Sequence, residues 1–269
     1  MKKILVIQLL LFLLSACEKT ALTDGSESVA RPVVEAYLQP GQNPALKITR
    51  QIPFGSSDTV ALPVKNLSVV IESGDFAYSL AFSGDTIYVG DGSWQPEAGK
   101  TYLLKFTYEG SEVTAETLVP EKPSGFTASA SSIEIPSFDI GSGGGFPTFP
   151  DPIELSWQAV PNAYYLVVVE NIESDPEAIF DIPDGDDRPR PTFRSEPEQA
   201  NSYEIGFQNF QYYGTHRVIL YRLNAEYAAL YDDNGNSSQN LTTPFTNVIG
   251  GLGIFTGMNA DTLMVEVKE

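Results

Sequence analysis

Few residues in this chain can do chemistry. Histidine occurs once, at His216, and cysteine once, at Cys17. His216 follows Tyr212-Tyr213-Gly214 and opens an apolar run. A zinc ligand or catalytic base there would need a Cys or His partner, and no such pattern accompanies it. A structural or surface histidine is the expectation, and transition-metal sites are not expected. Carboxylates are plentiful, but a glycosidase pair is defined by a separation in space that sequence does not give. Two acidic clusters offer oxygen ligands near a glycine turn: Asp181 with Asp184, Asp186 and Asp187, and Asp232-Asp233-Asn234-Gly235-Asn236. Neither matches the twelve-residue calcium loop with its terminal Glu, so solvated acidic loops are the expectation and these are weak calcium candidates. Aromatic contacts are the other option. Phe146 and Phe149 lie on a glycine-rich loop, Gly141-Ser142-Gly143-Gly144-Gly145-Phe146-Pro147-Thr148-Phe149-Pro150. They, like Tyr212 and Tyr213, are either a clamp for a ligand or partner, or tucked packing.

The thiol of Cys17 has a clearer context. Lys2 and Lys3 precede an apolar run, Ile4 to Leu14, broken only by Gln8. A charged start, an apolar middle and small residues at the cut make a secretory signal. The run is too short to span a bilayer, which takes roughly 20 apolar residues. Leu14-Ser15-Ala16-Cys17 resembles a bacterial lipobox. That resemblance implies a diacylglyceryl group on the Cys17 sulfur, cleavage before residue 17, and acylation of the new amine. Two or three acyl chains anchor stably where one is marginal. The alternative, a plain signal peptide, would export a lone reactive thiol. No other cofactor is implied.

Removing residues 1–16 leaves 253 of 269 residues, with 14 basic against 35 acidic side chains, a net charge of −21. That length suits one large or two medium domains. Nucleic-acid binding, which demands basic patches, is not expected. An acidic exterior keeps a surface protein soluble. With one cysteine, no internal disulfide can form, so packing alone must hold the fold.

Glu18 to Ala30 is polar and aperiodic, a tether that could reach roughly 40 Å at ~3.3 Å per residue. From Val33 the pattern becomes short β-rich runs: 33–38, 46–52, 67–72, 76–82, 86–89, 101–108 and 113–118. Turns such as Pro40-Gly41, Ser73-Gly74-Asp75 and Glu109-Gly110 separate them, as in a β-sandwich. Tyr102, Leu104 and Phe106 alternate with Leu103, Lys105 and Thr107, so one face is buried. Trp94 is expected to plug that core rather than serve as a sugar platform.

Pro120-Glu121-Lys122-Pro123-Ser124-Gly125 stops any strand and marks the domain boundary. The first sandwich is assigned to 31–119 and the second to 124–269. The second opens with a strand over 126–135. Ile153-Glu154-Leu155-Ser156-Trp157, the turn Pro161-Asn162-Ala163 and a strand over 164–170 follow. This unit resembles the hairpin of fibronectin type III domains in which a tryptophan fills the core, a role assigned to Trp157. Residues 171–202 hold nine carboxylates, three arginines and five prolines and read as an inserted loop. Strands over 203–207 and 216–223, a short helix over 225–231, the stretch 247–255 and a last strand over 263–267 complete the chain. The fold class is all-β: two consecutive sandwiches, the first immunoglobulin-like or prealbumin-like, the second fibronectin type III-like with insertions.

The tail Thr246-Asn247-Val248-Ile249-Gly250-Gly251-Leu252-Gly253-Ile254-Phe255 carries a wider resemblance. With the lipobox, Val33-Val34-Glu35-Ala36, Gly99-Lys100-Thr101-Tyr102, and Asp151-Pro152 followed by Asn162-Ala163-Tyr164-Tyr165, it resembles a family of Bacteroidota outer-membrane lipoproteins. That family is known only as a domain of unknown function (the four-two-four-nine type) and is often encoded beside TonB-dependent receptors. Thr256-Gly257 stands where many relatives have Gly-Ala. The resemblance implies a surface-exposed outer-membrane lipoprotein that partners such a receptor, and it implies no catalytic residues. Gly250, Gly251 and Gly253 lack the strand–loop–helix context and Lys of a phosphate loop, so a tight bulge seating Ile254 and Phe255 is expected. The function expected is non-catalytic: ligand binding, or capping of a TonB-dependent receptor in nutrient uptake. A structural or adhesive stalk is the alternative, and a glycan or peptide hydrolase a remote one.

Overall fold

The computed structural model describes residues 30–53, 56–84, 86–136, 148–180, 189–231 and 245–269. Cys17, the tether, Phe146 and both acidic calcium candidates, with Asp184, Asp186, Asp187 and Asp233, lie outside the described residues. Arg31–Glu269 forms one compact unit.

Its first half is β1 (Pro32–Leu38), β2 (Ala45–Arg50), β3 (Val69–Ser73), β4 (Phe76–Phe82), β5 (Ile87–Val89), β6 (Thr101–Tyr108) and β7 (Ser111–Leu118), paired in the order β1-β2-β5-β4-β3-β6-β7. Strict alternation drives the burial. β1 turns Val34, Ala36 and Leu38 inward and leaves Glu35 and Tyr37 outside. β6 buries Tyr102, Leu104, Phe106 and Tyr108, the face expected from its pattern. Trp94 packs against this core, its ring 3.9 Å from Tyr78 and 5.7 Å from Tyr102. Glu109 and Gly110 both have positive φ (48° and 82°), the two-residue turn whose twist matches a β-hairpin.

The second half is β8 (Ser124–Ala128), β9 (Ser132–Glu134), β10 (Ile153–Gln158), β11 (Tyr164–Asn171), β12 (Thr192–Arg194), β13 (Ser202–Ile205), β14 (Gly214–Leu223) and β15 (Leu252–Lys268). β13-β10-β8 make one sheet; β12-β11-β14-β15, with β9 on β15, make the facing layer. Trp157 is 7 % exposed between them, edge-on to Phe126 at 6.5 Å and tilted against Tyr165 at 5.4 Å. It fills the role the hairpin resemblance implied. The chain is all-β in class, with two sandwich cores.

Three expectations change. The strand over 126–135 is broken: β8 joins the three-stranded sheet and β9 the other, because the small polar stretch Ser129-Ala130-Ser131 lets the chain cross between layers. The inserted loop contains a strand, β12, pairing Val168 with Arg194 and Val169 with Phe193. Three residues beside Pro191 are too few to show a period.

The largest change is at the C-terminus. The expected last strand over 263–267 is the end of a 17-residue strand, β15, that takes in the end of the 247–255 stretch. Leu252–Gly257 pairs in parallel with β1 (Val33↔Leu252 to Leu38↔Gly257), and Met258–Val267 then pairs antiparallel with β14. Phe255 and Val248 therefore belong to the first core, and Val265 and Val267 to the second. The boundary at 120–123 does not confine 124–269 to one sandwich. Thr114 and Ile249 exchange backbone hydrogen bonds of 3.1 and 2.8 Å, returning the β7 edge to the chain entering β15. The proline-rich connection is itself fastened to the second half. The Pro120 carbonyl accepts from Asn259, and Lys122 sits 2.9 Å from Asp261.

Candidate functional site

β11 reads Tyr-Tyr-Leu-Val-Val-Val, and both its faces are covered. Tyr165, Val167 and Val169 enter the second core. Leu166 and Val168 point the other way and build a third, smaller cluster with Leu223, Tyr227, Ile254 and Met258. This cluster lies where β15 changes partner, from β1 to β14.

A helical turn closes it. Asn224 precedes the helix Ala225–Ala228, which runs on as the 3-10 turn Ala229–Tyr231. Glu226 fixes that turn to both halves. Its Oε1 accepts from Thr117 Oγ1 (2.8 Å), Asn224 Nδ2 (3.1 Å) and Thr256 Oγ1 (3.1 Å). Thr117 Oγ1 in turn accepts from the Gly257 N–H at 2.8 Å. Charge-assisted bonds of this kind hold geometry better than neutral ones.

Over the small cluster lies a cleft of about 350 Å³. Its floor is Leu166, Leu223 and Met258, and its walls carry Tyr37, Tyr221, Tyr227 and Arg194, with Glu35 and Gln39 also lining it. The Tyr37 and Tyr227 rings meet edge to face, 6.0 Å apart. Tyr227 meets Tyr231 at 5.8 Å. Arg194 Nη1 donates to Tyr227 Oη at 3.4 Å. A second hollow of about 620 Å³ lies along the same helical turn, lined by Tyr164, Glu196, Tyr231 and Phe245 among others.

Burial, aided by the neighbouring Tyr231 hydroxyl, pushes the Tyr227 phenol far above its ordinary value. Burial and then the Glu35 carboxylate raise Tyr37. Both rings stay neutral at physiological pH, where they act as flat apolar walls with hydroxyl tips. Among the described lining residues the charged groups are Arg194 and Glu35. No nucleophile–base pair is assembled there. The arrangement offers a ligand apolar surface, hydroxyl tips and two opposite charges.

The aromatic contact candidates sit elsewhere. Phe149 is half-buried and stacks on Phe207 with centroids 3.9 Å apart. Tyr212 is 3 % exposed and donates its hydroxyl to the Pro189 carbonyl at 2.7 Å. Tyr213 donates to the Ile135 carbonyl at 3.0 Å. Each of the three thus packs against a neighbouring loop or strand. Tyr37, Arg194 and Tyr227 went unselected at the sequence level. Tyr37 is one outward residue of an alternating strand, and nothing local marks it as facing residue 227.

His216 is 2 % exposed, edge-on to Phe210 at 5.1 Å. Its Nδ1 faces the Gly214 carbonyl at 3.0 Å and its Nε2 the Asn171 amide at 3.3 Å. Burial lowers its pKa below 6.5, against the opposing pull of the Gly214 carbonyl, Glu173 and Glu266. The unfolded chain therefore binds the extra proton more readily than the folded one. This contribution to stability is complete above about pH 6.5 and is lost as the pH falls below it. Urea midpoints between pH 7 and 5 should fall more steeply for the wild type than for His216→Gln; parallel profiles would show that His216 is not the group responsible.

A family model described as Domain of unknown function (DUF4249) matches residues 22–263. The chain belongs to that family. No curated protein matches it. Among solved structures, the FN1-FN3 domains of chicken CNTN1 share 14 % identity at a TM-score of 0.25, with 89 % of this chain and 68 % of that chain covered. A stretch of titin domains shares 9 % at a TM-score of 0.23, covering 89 % of this chain and 66 % of that one. Nothing is transferred from either at those scores. For this family member the cleft between the two cores is thus read from its own residues. No described helix is long and apolar enough to cross a membrane, and no described cluster of His, Cys, Asp and Glu would hold a metal ion.

Proposed function

We propose that this protein is a lipid-anchored, non-catalytic binding module of a bacterial outer membrane that captures a small ligand and works beside a TonB-dependent receptor. The observation that carries the binding role is the cleft over β11 and β15. It is concave, floored by apolar side chains and walled by neutral phenols and one guanidinium, and two packed cores hold it in shape. Small-molecule sites combine apolar surface with placed polar groups that fix orientation, and this cleft has both. The anchoring role rests on Leu14-Ser15-Ala16-Cys17 and the polar stretch after it. The receptor role rests on the family resemblance.

Cys17→Ala should move the protein from the membrane pellet to the soluble fraction, since it removes the proposed acyl anchor. Unchanged partition with membranes, or a bare thiol at the processed N-terminus by mass spectrometry, would refute the anchor. Extraction of the native protein in mild detergent should bring a receptor with it; failure to do so under every growth condition tried would remove the partner.

A further inference from the structure

Building on that binding role, we propose that the cleft takes a monoanionic carboxylate carried on a small apolar ring, with Arg194 as the partner of the carboxylate and Tyr37 and Tyr227 as walls for the ring. Arg194 is the reason for the anion. It is an exposed residue at the end of β12, placed by pairing with Val168 and directed into the cleft. Lys47, Arg50, Lys105, Lys122 and Arg217 each have a carboxylate within 4.0 Å, whereas Arg194 has none among the described residues. Other described cations, such as Lys65 and Arg222, also lack a carboxylate partner, but Arg194 is the cation that lines the cleft. Its described partners are neutral phenols, the Tyr227 hydroxyl at a long 3.4 Å and the Tyr231 hydroxyl, and a carboxylate would be a stronger partner than either. The planar guanidinium can meet both oxygens of a carboxylate at once.

The rest of the cleft sets the body and the charge. Leu166, Leu223 and Met258 give an apolar floor that has no hydrogen bond to offer a sugar hydroxyl. About 350 Å³ holds one ring and a short chain. Glu35 also lines the cleft, with its charge shared with Lys47 at 3.6 Å. It and the strongly acidic body disfavour a second negative charge on the ligand.

The test uses the full-length protein in mild detergent and ligand titrations followed by NMR. The probes are 3-phenylpropionate, its neutral isostere 3-phenylpropanamide, and glucuronate. The acid should bind about tenfold more tightly than the amide, the usual scale of a charge-assisted bond. Arg194→Gln should abolish that preference, bringing the acid to the affinity of the amide, and Arg194→Lys should restore part of it. Equal affinity for acid and amide, or an acid preference that survives Arg194→Gln, would overturn the carboxylate assignment and leave the cleft as a binding site. Preference for glucuronate would overturn the apolar body. Binding of none of the three would overturn the ligand class altogether. Membrane partition of Cys17→Ala and receptor co-purification judge the anchoring and partner roles separately, whatever these titrations give.

Discussion

Gly253→Ala is expected to destabilise the protein by about 4 kcal/mol or more, enough to leave little of it folded. Two effects add. Gly253 has φ of +94°, a conformation that costs an L-residue about 1–3 kcal/mol. It also lies opposite Val34 across the parallel β1–β15 pair, and a Cβ at residue 253 would press into the Val34 backbone carbonyl, nitrogen and carbon. Backbone cannot swing aside as a side chain can, so the strands must part, and Ile254 and Phe255 would leave the two clusters they fill. Gly41→Ala is the matched control: φ is +76°, but nothing lies within 4 Å of the added methyl, so only the backbone strain of about 1–2 kcal/mol applies. Chemical denaturation of the two variants would decide the matter. Similar midpoints for both would mean that the tight approach at Gly253 relaxes cheaply.

A chain ending at residue 123 should fail to fold, although its sequence looks like a whole domain. It would keep all seven strands of the first half and lose Val248 and Phe255 from their core. β1 would lose its partner from Val33 to Leu38, exposing a row of unpaired backbone groups beside an apolar face. The bridge between Thr114 and Ile249 would go too, opening the β7 edge. Both vacated edges flank the same core, so aggregation or a loosely packed state without near-ultraviolet dichroism is the expected outcome. A soluble fragment with dispersed amide resonances would show that β15 merely decorates the first sandwich. The intact chain, with β15 shared, should unfold in a single transition seen alike by tryptophan fluorescence and far-ultraviolet dichroism.

Period-2 alternation with turn residues at its ends was enough to place most strands to within a few residues. In β6 every second side chain is an aromatic or leucine, and in the hairpin after Tyr108 a glycine marks the turn. Burial of Trp157 was legible for a related reason: a large ring at the end of an alternating strand has one apolar place to go. β12 was not legible, being three residues long and held by its pairing with β11. The cleft was not legible either. Tyr37, Arg194 and Tyr227 stand on elements far apart in sequence, and each alone has the pattern of an ordinary surface or packing residue. The aromatics that did stand out, on loops rich in glycine or tyrosine, found packing partners instead where they are described, in Phe207, Pro189 and Ile135.

From sequence alone come the all-β class, most strand positions, the resemblance of residues 14–17 to a lipobox and the family, because each is written in neighbouring residues whose spacing or chemistry has a local meaning. Tertiary structure alone decided that the last strand serves both cores, that its Gly253 sits where β1 comes too close for a side chain, and that an arginine and two tyrosines face one hollow. Those facts depend on pairings between distant segments, and no local pattern records which distant segment a strand will choose.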